Sequence, residues 1–167
     1  MVSFDFRVLA SPNTQTSLDC RQSSSSPGLG PDKSEPPNDW KCLFGGAAWT
    51  QLPPNEDGTP GQFYFHLFDS SQPDFDWNHP AVLEDFLKTL RFWGDRGVAG
   101  FRVDVAMGCM KDMSEPFASA AELKRLTMEF EKTKGTVGDH PLWDRDEVHA
   151  MYKKWREVFN EYDPPLT

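Results

Sequence analysis

No apolar run in this sequence approaches the ~20 residues that a membrane-spanning helix needs. The N-terminus offers only Val8-Leu9-Ala10 as an apolar segment, with Asp5 before it, and that is not a secretory signal. Clusters of lysine and arginine are missing too. Seventeen basic residues stand against 26 acidic ones, for a net charge of −9. This balance excludes the phosphate-neutralising surface of a nucleic-acid binder and argues against an anionic membrane surface. Cysteine is scarce. Cys20, Cys42 and Cys109 are odd in number and lack metal-ligand spacing, so reduced thiols in a cytoplasmic protein without a metal centre are expected. Length is limited as well: 167 residues allow one ordinary domain.

Aromatic residues are plentiful, six of them Trp, and they suit a buried core as well as a sugar-stacking surface. Their distribution along the chain is uneven. Residues 1–33 contain Ser23-Ser24-Ser25-Ser26-Pro27-Gly28 and read as a disordered leader. From Ser34 the character changes. Pro36 and Pro37 keep the chain extended, and Gly45 and Gly46 permit a turn between Phe44 and Trp49. Gly58 to Gly61 is a further turn. The aromatic run Gln62-Phe63-Tyr64-Phe65-His66-Leu67-Phe68 after it reads as a strand, with His66 as a structural histidine.

Two helices are clear. His79-Pro80 opens one whose face carries Val82, Leu83, Phe86, Leu87, Leu90 and Trp93, with Gly94 or Gly97 as its stop. Asp144-Arg145-Asp146-Glu147 opens the other. Its stripe is Val148, Met151, Tyr152, Trp155, Val158, Phe159 and Tyr162, ended by Asp163-Pro164-Pro165. Between them Ser119-Ala120-Ala121-Glu122 fits a capping box, and Gly135 and Gly138 interrupt the chain before the second helix.

The segment from Gly97 to Ala106 is the centre of the chain. Phe101, Val103 and Val105 alternate with Arg102 and Asp104, so in a strand the apolar residues share one face and the ion pair the other. Small apolar flanks suit a buried parallel strand. Arg102 and Asp104 are then expected to point together into a confined interior, where the arginine keeps the aspartate ionised and oriented. An oriented carboxylate at the end of a parallel strand suits a nucleophile or an electrostatic stabiliser. The bare pattern favours a structural ion pair inside a sheet.

Gly100-Phe101-Arg102-Val103-Asp104-Val105-Ala106 resembles the fourth-strand motif of glycoside hydrolase family 13, the α-amylase family. Gln72-Pro73-Asp74-Phe75-Asp76-Trp77 and His140 to Pro165 are similar to two further segments of its glucosidase-like members. The resemblance covers residues 34–167. It implies an α/β fold: an incomplete (β/α)8 barrel with the excursion subdomain after the third strand (34–79), then the fourth strand and flanking helices (80–167). It implies retaining α-glucosidase chemistry in carbohydrate metabolism, on an α-glucoside or short oligosaccharide, without a cofactor. Asp104 takes the place of the nucleophile and Arg102 of the residue orienting it. Gln72 and Asp74 border the sugar, and Met107 stands where the family commonly has a polar sugar-binding residue. Phe75-Asp76 sits between the glucosidase-type and amylase-type patterns of this motif and leaves linkage preference open.

The family's general acid/base is a glutamate on the fifth strand, and 167 residues fall short of the ~250 of a complete barrel. Glu115, Glu122, Glu129, Glu131 and Glu147 sit in no motif resembling the acid/base segment. The expectation is a chain inactive alone, with another chain as a candidate partner supplying the rest of the barrel. The alternative is a non-catalytic remnant that binds sugar or another protein. Partner subunits of amino-acid transporters share the fold, but they need a membrane span.

Overall fold

The computed structural model describes residues 2–4, 23–133 and 140–167. Residue 1 and residues 5–22 of the expected leader, with Cys20, and the interruption at Gly135 and Gly138 lie outside the described residues. The chain divides into two compact units. Among the described residues no helix is long and apolar enough to cross a membrane.

One unit takes the described residues within Met1–Leu9, Asp76–Asp112 and Glu129–Thr167. Its strands are β1 (Val2–Phe4) and β5 (Phe101–Val103), paired in parallel with Val2 opposite Phe101. The chain's last residue joins β5 as well. Thr167 donates its N–H to Ala99 O (3.1 Å), and Thr167 O accepts from Phe101 N–H (2.6 Å), which is a parallel bridge to Gly100. A β-carbon on Gly100 would lie 2.3 Å from Thr167 O, so only glycine admits this approach.

Helix α1 (Pro80–Gly94) starts as the sequence indicates. His79 Nδ1 accepts from Ala81 N–H, and proline fills the first turn, where its missing N–H costs nothing. It buries Val82, Phe86, Leu90 and Gly94. Helix α3 (Glu147–Phe159) buries Val148, Met151, Trp155 and Val158. The two helices pack through aromatic rings: Trp77 lies 4.4 Å from Phe86 and 5.8 Å from Trp155. Bidentate hydrogen bonds from Arg91 to Glu161 tie their far ends (2.8 and 2.6 Å). Leu142, His140 and Leu166 complete this core.

The other unit takes the described residues within Ala10–Phe75 and Met113–Met128. Its antiparallel sheet has β4 (Phe63–Phe65) between β2 (Ser25–Ser26) and β3 (Trp49–Gln51). Phe63 and Phe65 point inward and Tyr64 is half-buried, the alternation of a strand with one covered face. Trp40, Trp49, Phe65 and Phe117 meet edge to face, at 5.3–6.1 Å between centroids. Asn38 Oδ1 accepts from both Trp40 N–H and Trp49 Nε1–H. His66 is buried, with Nε2 2.9 Å from Thr50 Oγ1, the structural role the sequence indicates. Helix α2 (Ala120–Lys132) begins here. Ser119 Oγ accepts from Glu122 N–H as a capping box requires, while the Glu122 carboxylate turns to Arg125 instead.

Three expectations need correction. The described residues of 1–33 are not a disordered leader: β1 pairs with β5, β2 pairs with β4, Ser23 bridges Phe75 and Leu29 bridges Glu35. Their order comes from non-local pairing, which a serine run does not advertise. The boundary drawn at residue 79 falls at Phe75/Asp76, because Trp77 packs on Phe86 and Trp155. Residues 113–128, assigned to the barrel part, belong with the small sheet, because Phe117 packs edge to face on Trp40 and Trp49.

Candidate active site

β5 ends at Val103, shorter than the expected strand, and delivers Asp104 at its C-terminal end. Arg102 Nη2 donates to Asp104 Oδ1 at 3.2 Å, and Val105 N–H donates to the same oxygen at 3.2 Å. Oδ2 accepts nothing among the described residues. The carboxylate is therefore held by one oxygen and presents the other. The expected burial of the pair is corrected: the side chains are 55% (Arg102) and 41% (Asp104) exposed. Period-two alternation fixes which residues share a face, but covering that face takes neighbouring strands.

Val105 does not continue the apolar face of the strand. It adopts a left-handed conformation (φ 49°, ψ 39°), and a 3₁₀ turn over Ala106–Gly108 comes next. Met107 sits on this turn and is 44% exposed. Its thioether can donate no hydrogen bond.

Gln72 and Asp74 belong to the other unit. Asp74 Oδ2 accepts from Leu67 N–H (2.6 Å), so this carboxylate braces the segment from Leu67 to Asp74. The side-chain amide of Gln72 has no hydrogen-bond partner among the described residues. The same segment carries Phe68, which no motif marks, and it meets a second such residue from the preceding loop. Phe68 meets Phe44 edge to face at 5.7 Å, and Phe44 is 70% exposed. Leu43 N–H bonds Leu67 O and fixes the two loops together. An aromatic beside the Gly45-Gly46 turn is the only sequence signal for this surface.

Among the described residues, no group of three or more His, Cys, Asp or Glu side chains is placed to hold a metal ion. Of the glutamates weighed as acid catalysts, two are held ionised. The Arg125 hydrogen bond keeps the Glu122 carboxyl below the usual range, and the helix-start backbone N–H with Arg145 does the same for Glu147. An acid catalyst needs the opposite shift.

Comparison with known proteins places these motifs. An oligo-1,6-glucosidase of Parageobacillus thermoglucosidasius is 42% identical over 128 residues, which are 76% of this chain and 20% of that protein. A salivary alpha-glucosidase of Aedes aegypti is 32% identical over 138 residues, 81% of this chain and 23% of the other. Among solved structures, an isomaltulose synthase mutant from Erwinia rhapontici NX5 in complex with D-glucose superposes with a TM-score of 0.62 at 31% identity. That match covers 85% of this chain and 22% of the synthase. The chain thus spans about a fifth of the length of these relatives. The catalytic-domain model described as "Alpha amylase, catalytic domain" matches residues 20–166, which also takes in residues 20–33, where the sequence showed no resemblance. With that match running across both units and through the Arg102–Asp104 strand end, the chain belongs to the alpha-amylase family of catalytic domains.

Proposed function

We propose that this chain is part of a retaining α-glucosidase and carries its nucleophile, Asp104. One observation supports this above the others: Asp104 is bound through Oδ1 alone, by Arg102 and the Val105 N–H, and Oδ2 is left for the substrate. In the reaction Oδ2 attacks the anomeric carbon, the bond to the leaving oxygen breaks, and a glucosyl ester forms. The leaving oxygen takes a proton from a second carboxylic acid ~5 Å away. Glu122 and Glu147 are held ionised, the wrong state for that task, and the chain alone is expected to leave ordinary glucosides intact. The missing acid then comes from further barrel sequence or from another chain.

In the small-sheet unit, the free Gln72 amide and the exposed Phe44 ring, backed by half-buried Phe68, suit a sugar: hydroxyls meet the amide, and an apolar ring face meets an aromatic. This surface also supports a second reading, sugar binding without hydrolysis. Calorimetric titration with maltose tests it, and a flat heat trace removes it.

α-Glucosyl fluoride tests the first reading, because fluoride departs without a proton and the acid is not needed. The expected outcome is one fluoride released per chain and a glucosyl ester on the Asp104 peptide by mass spectrometry, both absent in Asp104→Asn. An unmodified wild-type chain refutes the assignment.

A further inference from the structure

The turn after Asp104 is held at four consecutive carbonyls. Val105 O accepts from Gly108 N–H (2.8 Å), Ala106 O from the Tyr152 hydroxyl (2.5 Å), Met107 O from Asp144 N–H (2.9 Å), and Gly108 O from Lys111 Nζ (2.6 Å). Two of these donors lie outside the loop, on α3 and on the segment leading into it. Burial pushes the Tyr152 phenol well above its ordinary pKa, so it remains a donor. The indole of Trp143 closes over the same turn. A β-carbon on Gly108 would lie 2.6 Å from Trp143 Cζ3 and 3.2 Å from Val105 Cγ1.

Inside this clasp Val105 is left-handed. A β-branched residue rarely takes that conformation, and such strain persists only where the surroundings over-determine it. Its consequence is the direction of one N–H, which points at Oδ1 of Asp104.

We propose that Trp143 and Tyr152 are positioning residues for the nucleophile. By fixing the 3₁₀ turn they hold Val105 left-handed, and the Val105 N–H then ties Oδ1 and turns Oδ2 outward. They act on Asp104 only through the turn. The inference rests on the reading of Asp104 as nucleophile, but its geometry can be tested separately.

In the full chain, the Val105 amide proton is followed by NMR through the carboxylate titration range. A donor to a carboxylate moves downfield as that group ionises, and Asp104→Asn abolishes the movement. In Tyr152→Phe and Trp143→Phe the movement is expected to fall below half. Glucosyl ester formation from α-glucosyl fluoride is expected to slow about tenfold at unchanged half-saturation. Arg91→Ala, which opens the ion pair to Glu161, is the control that lowers stability and leaves both readouts unchanged. If the Phe variants behave like this control, with full Val105 movement, the proposal is overturned. If the wild-type chain forms no ester, the glucosidase reading falls, and the amide titration still decides whether Trp143 and Tyr152 position Asp104.

Discussion

The ring of Tyr162 occupies the space beside Gly94: a β-carbon there would lie 2.5 Å from Cζ and 2.6 Å from the hydroxyl oxygen. The ring is not free to swing aside, because its hydroxyl reaches Asp95 Oδ1 (2.8 Å) and Arg91 O (3.1 Å). Alanine for glycine within a helix ordinarily gains about 0.5–1 kcal/mol. Here overpacking reverses the sign, and Gly94→Ala is expected to cost about 1–3 kcal/mol. Urea unfolding measures it, and a stabilised variant would show that Tyr162 relaxes without loss.

Arg102 separates stability from chemistry. Its ion pair with Asp104 is largely exposed, so Arg102→Ala should change unfolding by no more than ~1 kcal/mol. Removing a charge-assisted donor from the nucleophile should slow glucosyl ester formation roughly 10- to 100-fold. Unfolding curves and ester formation from α-glucosyl fluoride, measured on the same preparation, check both halves.

His140 makes stability pH-dependent. It is 1% exposed, and burial pushes its pKa down from 6.5 to about 4. Between these values the unfolded chain binds the proton and the folded one does not, so stability rises with pH across this window. It is complete above about pH 6.5 and falls by roughly 3 kcal/mol on acidification to about pH 4. Nδ1 accepts from Leu142 N–H (3.1 Å), a bond an asparagine Oδ1 can make without titrating. In His140→Asn this window should flatten in denaturation curves taken from pH 4 to 7. An unchanged slope would assign the acid sensitivity to other groups.

Phe44 is expected to matter for sugar and little for folding. At 70% exposure its removal costs little core packing, so Phe44→Ala should unfold within about 0.5 kcal/mol of wild type. Its ring face is expected to contribute about 1 kcal/mol to maltose affinity, roughly a fivefold change. Calorimetry on both proteins decides it.

The helices were legible because their signals are local. His79-Pro80 begins α1, the apolar stripe of α3 repeats at helical spacing, and Ser119 caps α2. The aromatic strand at Phe63–Phe65 was equally plain. β2 was not, because serines paired only through β4 carry no propensity of their own. At the candidate site, alternation brought Arg102 and Asp104 to one face but said nothing of what covers it. Nor did it foresee Val105, whose side chain argues for a strand. Tyr152 and Trp143, about forty residues downstream, help hold the turn in which it is left-handed. Non-local hydrogen bonds of this kind leave no periodic trace.

The aromatic cores give each unit its own optical reporter. Trp77 and Trp155 lie 5.8 Å apart between α1 and α3, while Trp40 and Trp49 converge on Phe65 beside the small sheet. Replacing Trp40 and Trp49 by phenylalanine leaves indoles only in the helical unit, and replacing Trp77, Trp93, Trp143 and Trp155 leaves them only in the small-sheet unit. Two such variants, melted side by side, would reveal whether the chain unfolds as one cooperative body or surrenders one half before the other.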